Sequence, residues 1–266
     1  MSGCECTKYH IKLAGLSRHV RVAVLADLHG SHGCDLDSIM KYLRFTEPDI
    51  ALFPGDTFER LDRSRPKRND KAFELVKCVS EICPVYISVG NHENGGIHSW
   101  NLIKWRGSKS VPHRFDKGEL TRIQKCGGVF LDDGYVEFNG VRIGGLSSGL
   151  INENRLPRVD WLDDFCKFDG TKILMCHHPE YYEEHLYYKD IDLVVSGHAH
   201  GGQWRIFGKG IFAPGQGIFP KYTQGLHHGN HVISRGLKRG RIIPRLFNKP
   251  EVVIVDLAPL QYTNLL

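Results

Sequence analysis

Short apolar runs alternate with amphipathic segments through the first half of this 266-residue chain. Runs at 20–27, 49–56 and 84–91 are continuous and rich in β-branched residues, which predicts strands buried on both faces. Between them, 35–45 and 69–82 carry apolar residues at helical spacing, and each begins with Asp or Asn in a position typical of an N-cap. This β-α-β-α-β order predicts a parallel sheet with right-handed crossovers.

The second half is richer in strand patterns. "VFLDDGYVEF" and "VRIGGLSS" flank Asn139-Gly140, a dipeptide typical of a type I′ hairpin. Two buried runs, 171–178 and 191–198, are separated by a helix candidate rich in Tyr and Glu. Further along, "QWRIFG", "NHVISRGL" and "EVVIVDL" are strand-like.

The chain shows neither an internal repeat nor a linker. We therefore expect a single domain over residues 1–266, of which 1–7 form a flexible tail. Segment 94–118 predicts a long loop or an irregular insertion, and long loops in compact domains are often functional.

Composition and charge restrict the class of protein. With 41% hydrophobic and 24% charged residues, the chain has the composition of an ordinary globular protein. Its apolar runs are too short to span a bilayer and its N-terminus lacks a continuous apolar segment, so we expect a cytoplasmic protein. The eight cysteines form no C-x-x-C pair, which favours reduced thiols. A net charge of +5, with basic runs at 60–70 and 234–245, favours anionic partners, although such runs also occur on plain solvated surfaces.

Five of the predicted strands end in polar clusters. In chain order these are Asp27-Leu28-His29, Gly55-Asp56, Gly90-Asn91-His92-Glu93, His177-His178-Pro179 and Gly197-His198-Ala199-His200-Gly201-Gly202. Because the carboxyl ends of strands in an α/β sheet converge on one crevice, we expect these side chains to lie close together.

Each cluster alone has an ordinary interpretation as a turn, a helix cap or a buried histidine. Together they offer carboxylates, an amide and imidazoles, which are suitable ligands for divalent Mn, Fe, Co, Ni and Zn. Two Asp, one Asn and six His exceed what one ion can use. The set therefore predicts two ions, roughly 3.5–4 Å apart, bridged by one carboxylate.

The ordered blocks "DLH", "GD", "GNHE", "HHP" and "GHAHGG" resemble those of the calcineurin-like metallophosphoesterase superfamily. Further blocks, "GLHHGNHVISRGL" and "PRLFNKPEVVIVDL", are similar to the YkuE-like and YaeI-like branch of bacterial phosphodiesterases. The resemblance implies an α+β fold, a four-layer α/β/β/α sandwich of two mixed sheets with helices outside. Many members of that branch begin with a membrane-spanning segment, which this sequence does not show.

The resemblance also implies a ligand set for two divalent ions, Mn, Fe or Zn. Asp27, His29 and His200 would hold the first ion, Asp56 would bridge, and Asn91, His177 and His198 would complete the second. His177 is preferred to His178 because the family pattern is H-x-P, and because alternation along a strand turns only one of two neighbours towards the ions. The same alternation would direct both His198 and His200 to the site.

In this resemblance the reaction is hydrolysis of a phosphate ester, with diesters favoured, by in-line attack of a hydroxide that bridges the two ions. His92 would protonate the leaving oxygen or steady the phosphoryl group. In "GDTFER", Glu59 is a candidate to orient His92 and Arg60 a candidate to bind phosphate, and Gln203 is a candidate for the substrate rim. Arg245 and Asn248 are interpreted as structural first and as site-lining second.

Two alternatives remain. One is a nuclease-type phosphodiesterase, which the basic runs favour and for which Trp100, Trp105 and Trp204 could line a groove. The other is a non-catalytic scaffold, against which the complete ligand set and His92 argue. The sequence indicates no obligate protein partner and leaves the natural substrate open.

Overall fold

The computed structural model describes residues 3–30, 34–59, 67–94, 117–149, 157–213, 216–239 and 245–260. Within these ranges the α-helices are α1 (Leu36–Thr46), α2 (Asp70–Ser80), α3 (Lys117–Lys125) and α4 (Leu162–Cys166). A π-helical turn covers Tyr182–Leu186 and a 3₁₀ turn covers His200–Gly202. The predicted helices at 35–45 and 69–82 are confirmed as α1 and α2.

The strands of the same ranges, in chain order, are β1 (Glu5–Leu13), β2 (Val20–Val24), β3 (Ile50–Pro54), β4 (Val85–Ser88), β5 (Gly128–Leu131), β6 (Gly134–Phe138), β7 (Val141–Leu146), β8 (Thr171–Cys176), β9 (Leu193–Ser196), β10 (Arg205–Ile206), β11 (Lys209–Gly210), β12 (Phe212–Ala213), β13 (Gly217–Ile218), β14 (Gly225–His227), β15 (His231–Ile233) and β16 (Glu251–Pro259).

Two mixed six-stranded sheets form the body of the protein. Sheet A has the order β1-β16-β2-β3-β4-β5, and sheet B has the order β14-β15-β9-β8-β7-β6. β2 to β5 are mutually parallel, as the β-α-β-α-β pattern predicts, and β16 runs antiparallel to β2. In sheet B, β15, β9, β8 and β7 are parallel, and β14 and β6 are antiparallel edges.

Strand alternation divides the apolar residues among three cores. Val22 and Val24 of β2 pack with Ile173 of β8 between the two sheets, whereas Ala23 points to the other face of sheet A, where α1 and α2 pack. On the outer face of sheet B, residues of β8 pack with α4 and with the π-helical turn. This helix-sheet-sheet-helix arrangement is the four-layer α/β/β/α sandwich that the resemblance implies.

Two local predictions are wrong. The flexible tail expected over 1–7 does not extend through residues 5–7, because the backbone of β1 pairs in parallel with β16 from Glu5 onward. The pattern "VFLDDGYVEF" is not one strand: β5 ends sheet A and β6 belongs to sheet B, so the chain changes sheets at Asp132-Asp133. Asp35 and Asn69 do occupy the N-cap positions of α1 and α2, as predicted, although neither side chain makes a capping hydrogen bond within the described residues.

For the remaining expectations, the outcome depends on whether the residues concerned are described. The Asn139-Gly140 hairpin is confirmed, with positive φ at both residues between β6 and β7. The described part of the chain contains no disulfide. Its helices are all too short or too polar to cross a membrane. Almost all of segment 94–118 lies outside the described residues, and the extent of the domain stays a prediction.

Candidate metal centre

The seven expected ligands all follow strand ends and are all buried, each with less than a tenth of its surface exposed. Those of sheet A follow β2, β3 and β4, and those of sheet B follow β8 and β9. The set is Asp27, His29, Asp56, Asn91, His177, His198 and His200. The strand-end clusters therefore meet where the two sheets face each other, as the topology predicts.

One group of potential ligand atoms joins both sheets. A carboxylate oxygen of Asp27 and ring nitrogens of His29 and His200 lie within 4.8 Å of one another. The two Nε2 atoms of the histidines are 3.3 Å apart, with the rings stacked. Two imidazole nitrogens this close, together with a carboxylate, form a donor set that suits one divalent transition ion.

A second group shares Asp27 and adds Asp56 and His177, again within 4.8 Å. His177 Nε2 lies 3.3 Å from Asp56 Oδ2 and 3.1 Å from Asn91 Oδ1. The other ring nitrogen, Nδ1, is 2.9 Å from the carbonyl oxygen of Pro54, to which it donates. That hydrogen bond leaves Nε2 as the ligand atom and fixes the ring, in the manner typical of metal-binding histidines.

His178 is also buried, which the alternation argument did not predict. Its Nε2 lies 2.6 Å from Ser148 Oγ and its Nδ1 3.2 Å from Glu180 Oε1. Nevertheless, ring nitrogens of His177, His178 and His198 come within 4.8 Å of one another. The hydrogen bonds of His178 favour His177 as the ligand, which remains a proposal.

The Asp56 carboxylate has the orientation expected of a bridge. Its Oδ1 accepts a 2.8 Å hydrogen bond from the backbone N–H of His92, which fixes the side chain. Its Oδ2 is fully buried and accepts no hydrogen bond within the described part of the chain. This oxygen lies 3.3 Å from His177 Nε2 and 3.6 Å from His29 Nε2. A buried, orphaned carboxylate oxygen between two imidazoles fits a position that is completed by cations.

Burial and charge shift the pKa values of these groups. Burial lowers the pKa of His29 to about 3 and that of His200 well below its usual range, so both imidazoles are neutral, as metal ligands must be. Burial also lowers the pKa of His177, but the Asp56 carboxylate outweighs it and raises that pKa to about 10. The Asp56–His177 pair thus attracts positive charge, which a proton or a metal ion can supply.

The backbone at these positions is strained. Asp27, His29, Asp56, His198 and His200 all have φ between 47° and 67°, the left-handed region that non-glycine residues rarely adopt. Such strain, at roughly 1–3 kcal/mol per residue, persists where the surrounding structure enforces it and clusters at functional sites.

The turn geometry corrects one expectation. Strand alternation was expected to direct both His198 and His200 to the site, but β9 ends at Ser196, and left-handed turns place these residues instead. A Cβ at Gly197 would lie 2.7 Å from Asp27 Oδ2, and one at Gly55 would lie 2.7 Å from the His177 ring. These two glycines therefore make room for ligand side chains.

His92 belongs to a further group of potential ligand atoms, with His29 and Asp56, and it contacts Glu59. Its Nδ1 is 2.8 Å from Glu59 Oε2, and its Nε2 is 3.9 Å from Asp56 Oδ2. Burial lowers the pKa of His92, but the charges of Asp56 and Glu59 raise it overall. The side chain of Glu59, a candidate to orient His92, therefore reaches the imidazole.

Glu59 is itself held by several groups. The side chain of Asn69 accepts a hydrogen bond from the backbone N–H of Glu59 at 2.8 Å and donates one to the Glu59 carbonyl at 2.9 Å. These bonds explain why the Asn69 side chain does not cap α2. Arg68 Nη2 lies 2.8 Å from Oε2, and Lys238 Nζ lies 3.4 Å from Oε1. Arg68 and Lys238 were not predicted, because only the fold brings them to Glu59.

Glu93 is the principal residue that sequence reasoning missed. Its buried carboxylate accepts 2.9 Å hydrogen bonds from the backbone N–H groups of Asp56, Phe58 and Gly90. It therefore clamps the loops after β3 and β4, which carry Asp56 and Asn91. The block "GNHE" includes this residue, but its partners are backbone atoms, which no side-chain pattern reveals.

The remaining candidates lie around His200. Arg245 Nη2 lies 3.1 Å from His200 Nδ1, and Asn248 Nδ2 donates to the His200 carbonyl at 2.7 Å. Asn248 also donates to the carbonyl of Gln203, a buried residue at the end of the same turn. The structural role expected of Asn248 and Arg245 agrees with these contacts. Arg60 lies outside the described residues.

Comparison with known proteins identifies the same region. The family model described as calcineurin-like phosphoesterase matches residues 20–202, which include all seven expected ligands. A metallophosphoesterase of Caenorhabditis elegans is 28% identical over 196 residues, covering 70% of this chain and 38% of the relative. An uncharacterized metallophosphoesterase of Campylobacter jejuni is 24% identical over 95% of this chain and 63% of the relative. The uncharacterized metallophosphoesterase YkuE of Bacillus subtilis is 24% identical over a region that covers 84% of this chain and 72% of the YkuE chain. The chain thus spans less than two thirds of the first two relatives.

Proposed function

This chain belongs to the calcineurin-like phosphoesterase family, and we propose that it is a metal-dependent phosphoesterase that uses two divalent ions and prefers phosphodiesters. The observation that carries the proposal is a pair of ligand groups that share Asp27. Besides Asp27, one group contains His29 and His200, and the other contains Asp56 and His177.

The donor set fits two transition ions. We assign Asp27, His29 and His200 to the first ion, Asn91, His177 and His198 to the second, and Asp56 to both. Carboxylate, amide and neutral imidazole donors suit Mn, Fe or Zn. The unsatisfied Oδ2 of Asp56, between His29 and His177, supports the bridging role. When bound, the ions supply Lewis acidity, which neutralises phosphoryl oxygens and lowers the pKa of a water molecule.

The residues around the ligands supply the proton chemistry. We assign His92 to the donation of a proton from Nε2 to the leaving oxygen in an in-line displacement, because Nδ1 is hydrogen-bonded to Glu59 and Nε2 points towards the Asp56 carboxylate. Glu59 stabilises the imidazolium form, which raises the pKa of His92. The Glu59–His92 pair thus positions the acid and keeps it protonated.

The charges around His92 favour diesters. Both cations nearest to Glu59, Arg68 and Lys238, are paired with that carboxylate. They therefore offer little compensation for the second negative charge of a monoester dianion, whereas a diester carries only one. A nuclease-type reaction on nucleic-acid diesters is one case of this proposal, favoured by nine Lys or Arg and no Asp or Glu between residues 193 and 250.

Metal analysis combined with hydrolysis of a chromogenic phosphodiester tests the proposal. We expect two ions per chain and activity with added Mn²⁺. The Asp56→Asn variant should lose bound metal and reduce kcat by about 10³-fold or more, since it removes a charged bridging ligand.

Asp133→Asn is the matched control. Asp133 also has a positive φ, but its carboxylate accepts from the backbone of Ser147 outside the ligand groups. This variant should keep both metal and activity. Unchanged metal content and activity in Asp56→Asn would disprove the two-ion assignment. Bis-ester, monoester and single-stranded DNA substrates, measured side by side, test the preference for diesters.

A further inference from the structure

A cluster of large apolar side chains is exposed beside the candidate metal centre. We name it the apolar rim and define it by these residues: Trp204, Ile206, Phe207, Ile218, Phe219, Leu246 and Phe247. Its three phenylalanines are each more than three-quarters exposed. Scattered apolar residues are normal on a surface, but a contiguous group of this size indicates a binding surface.

Backbone contacts join the parts of the apolar rim. Phe207 lies in the two-residue turn of the β10–β11 hairpin, and Arg205 at the start of that hairpin donates to the carbonyl of Leu246 at 3.0 Å. The backbone N–H of Phe219 donates to the carbonyl of Ile211 at 2.8 Å, beside the β12–β13 hairpin. A cavity of about 480 Å³ is lined by Arg205 and Gly208 of the β10–β11 hairpin and by Phe219, so the two hairpins lie next to each other.

The three phenylalanines are unfavourable for the isolated fold on two counts. Phe207, Phe219 and Phe247 have φ values of 48°, 54° and 55°, in the left-handed region that bulky side chains rarely adopt. Glycine or asparagine would relieve the backbone, and a polar residue would suit the exposure. Packing within the part of the chain that the structure describes therefore does not account for Phe at these positions, which favours contact with a partner outside the chain.

The segment that carries the apolar rim has basic side chains and no acidic ones, and several of these cations are paired with acids from other segments: Lys221 with Glu183, Lys238 with Glu59 and Lys249 with Glu5. Between residues 193 and 250 the sequence contains nine Lys or Arg and no Asp or Glu. All 30 acidic residues lie elsewhere, so the rest of the chain is net negative although the whole chain carries +5. Lys209 and Lys221 line the same cavity as Phe219. Lys221 is paired with Glu183, whereas Lys209 forms no ion pair among the described residues. The unpaired Lys209 beside exposed apolar side chains favours a partner that combines negative charge with an apolar interior.

We propose that the apolar rim docks the protein on the surface of an anionic lipid bilayer, with the phenylalanines inserted among the acyl chains and the lysines at the headgroups. Phe and aliphatic side chains next to Lys and Arg are the composition of interfacial membrane-binding elements. The rim connects through Arg245 and Asn248 to His200. The docked surface therefore adjoins the candidate metal centre.

Other occupants fit less well. Isoleucine and leucine make up almost half of the apolar rim, and they offer no flat ring on which a nucleic-acid base can stack. A second copy of the chain would bring the same positive charge against this surface, and the two would repel. Lipid hydrocarbon accepts both the aromatic and the aliphatic side chains.

Vesicle sedimentation tests the proposal, independently of any catalysis. The full chain should bind vesicles of phosphatidylcholine and phosphatidylglycerol in a roughly three-to-one ratio, and bind pure phosphatidylcholine at least tenfold more weakly. The combined variant Phe207→Asn, Phe219→Asn and Phe247→Asn should lower the binding at least tenfold, since it removes three inserted rings. Asn is chosen because it accepts the left-handed backbone, so the variant should fold.

Two controls separate docking from other effects. Phe45→Asn removes an equally exposed phenylalanine on α1, outside the apolar rim, and should leave vesicle binding unchanged. Lys209→Gln should lower binding to the anionic vesicles about fivefold and leave the weak binding to phosphatidylcholine unchanged. Hydrolysis of a soluble chromogenic diester should be the same in all of these variants.

Four results would overturn the proposal. Three are failure of the full chain to bind anionic vesicles, equal binding by the triple Phe variant, and a concentration-dependent dimer that this variant abolishes. Binding of single-stranded DNA that competes with vesicles and is lost in the triple variant would assign the rim to nucleic acid instead. None of these results bears on the hydrolysis of a soluble diester, so the proposed function is judged separately.

Discussion

The two sheets contribute different chemistry to the candidate metal centre. Sheet A supplies both carboxylates and the amide, from Asp27, Asp56 and Asn91, whereas the ligands of sheet B are all imidazoles. The sheet A loops are fixed among themselves, chiefly by Glu93. The sheet B histidines are fixed by sheet A: His177 donates to Pro54, and the backbone N–H of His198 donates to the Asp27 carboxylate at 3.0 and 3.1 Å.

This difference suggests that sheet A builds a frame and that the sheet B histidines attach to it. Removing a sheet A carboxylate should therefore disturb both ions, as expected for Asp56→Asn. Removing a sheet B imidazole should disturb only the ion that it binds. The next three predictions test this comparison, in order of decreasing effect.

The largest of these effects is expected for His177→Ala. His177 contacts Asp56 and Asn91, and His29 belongs to other ligand groups than His177, so the variant should lose one ion and keep the other. We expect kcat to fall about 10³-fold, because one Lewis acid is lost. Metal content by mass spectrometry and kcat on a chromogenic diester check this. His178→Ala is the matched control and should keep both ions; the opposite result would assign the ligand to His178. Loss of both ions in His177→Ala would contradict the division between the sheets.

The choice between these two histidines shows where sequence reasoning succeeds. The strand-end clusters were predictable because buried β-branched runs and their polar ends are local patterns, and parallel strands bring those ends together. The four layers follow from the resemblance. The preference for His177 rests on the H-x-P pattern and agrees with its contacts, although both histidines proved to be buried.

Other features could not be predicted, because they depend on backbone geometry or distant contacts. The residues 198–200 lie in left-handed turns, whose φ values no period-2 pattern encodes. β1 has a mixed polar pattern, and only its pairing with β16 makes it a strand. Glu93 binds backbone N–H groups of both sheet A loops, and Lys238 reaches Glu59 across 179 residues of sequence.

A smaller effect on turnover is expected for His92→Ala. The variant removes a proton donor that lies beside the ligands without being one of them, so both ions should remain and kcat should fall about 10²-fold. A diester with a leaving group of low pKa needs little protonation and should lose less activity than one with an alkoxide leaving group. Equal losses on both substrates would exclude His92 as the acid, and loss of metal would make it a ligand.

The smallest effect, about tenfold on metal affinity, is expected for Glu93→Gln, which tests the frame itself. The amide N–H₂ of Gln cannot accept hydrogen bonds, so at least one of the backbone donors on Asp56, Phe58 and Gly90 would lose its buried acceptor. We expect unfolding free energy to fall by about 1–3 kcal/mol and the affinity for both ions to weaken roughly tenfold. Glu180→Gln, which alters the partner of His178 on sheet B, is the control and should leave metal affinity unchanged. Metal titration of the unchanged protein, Glu93→Gln and Glu180→Gln measures whether the affinity for one ion or for both ions changes. If Glu93→Gln weakens the binding of a single ion only, the sheet A loops are fixed independently of each other, and Asp56 alone links the two halves of the centre.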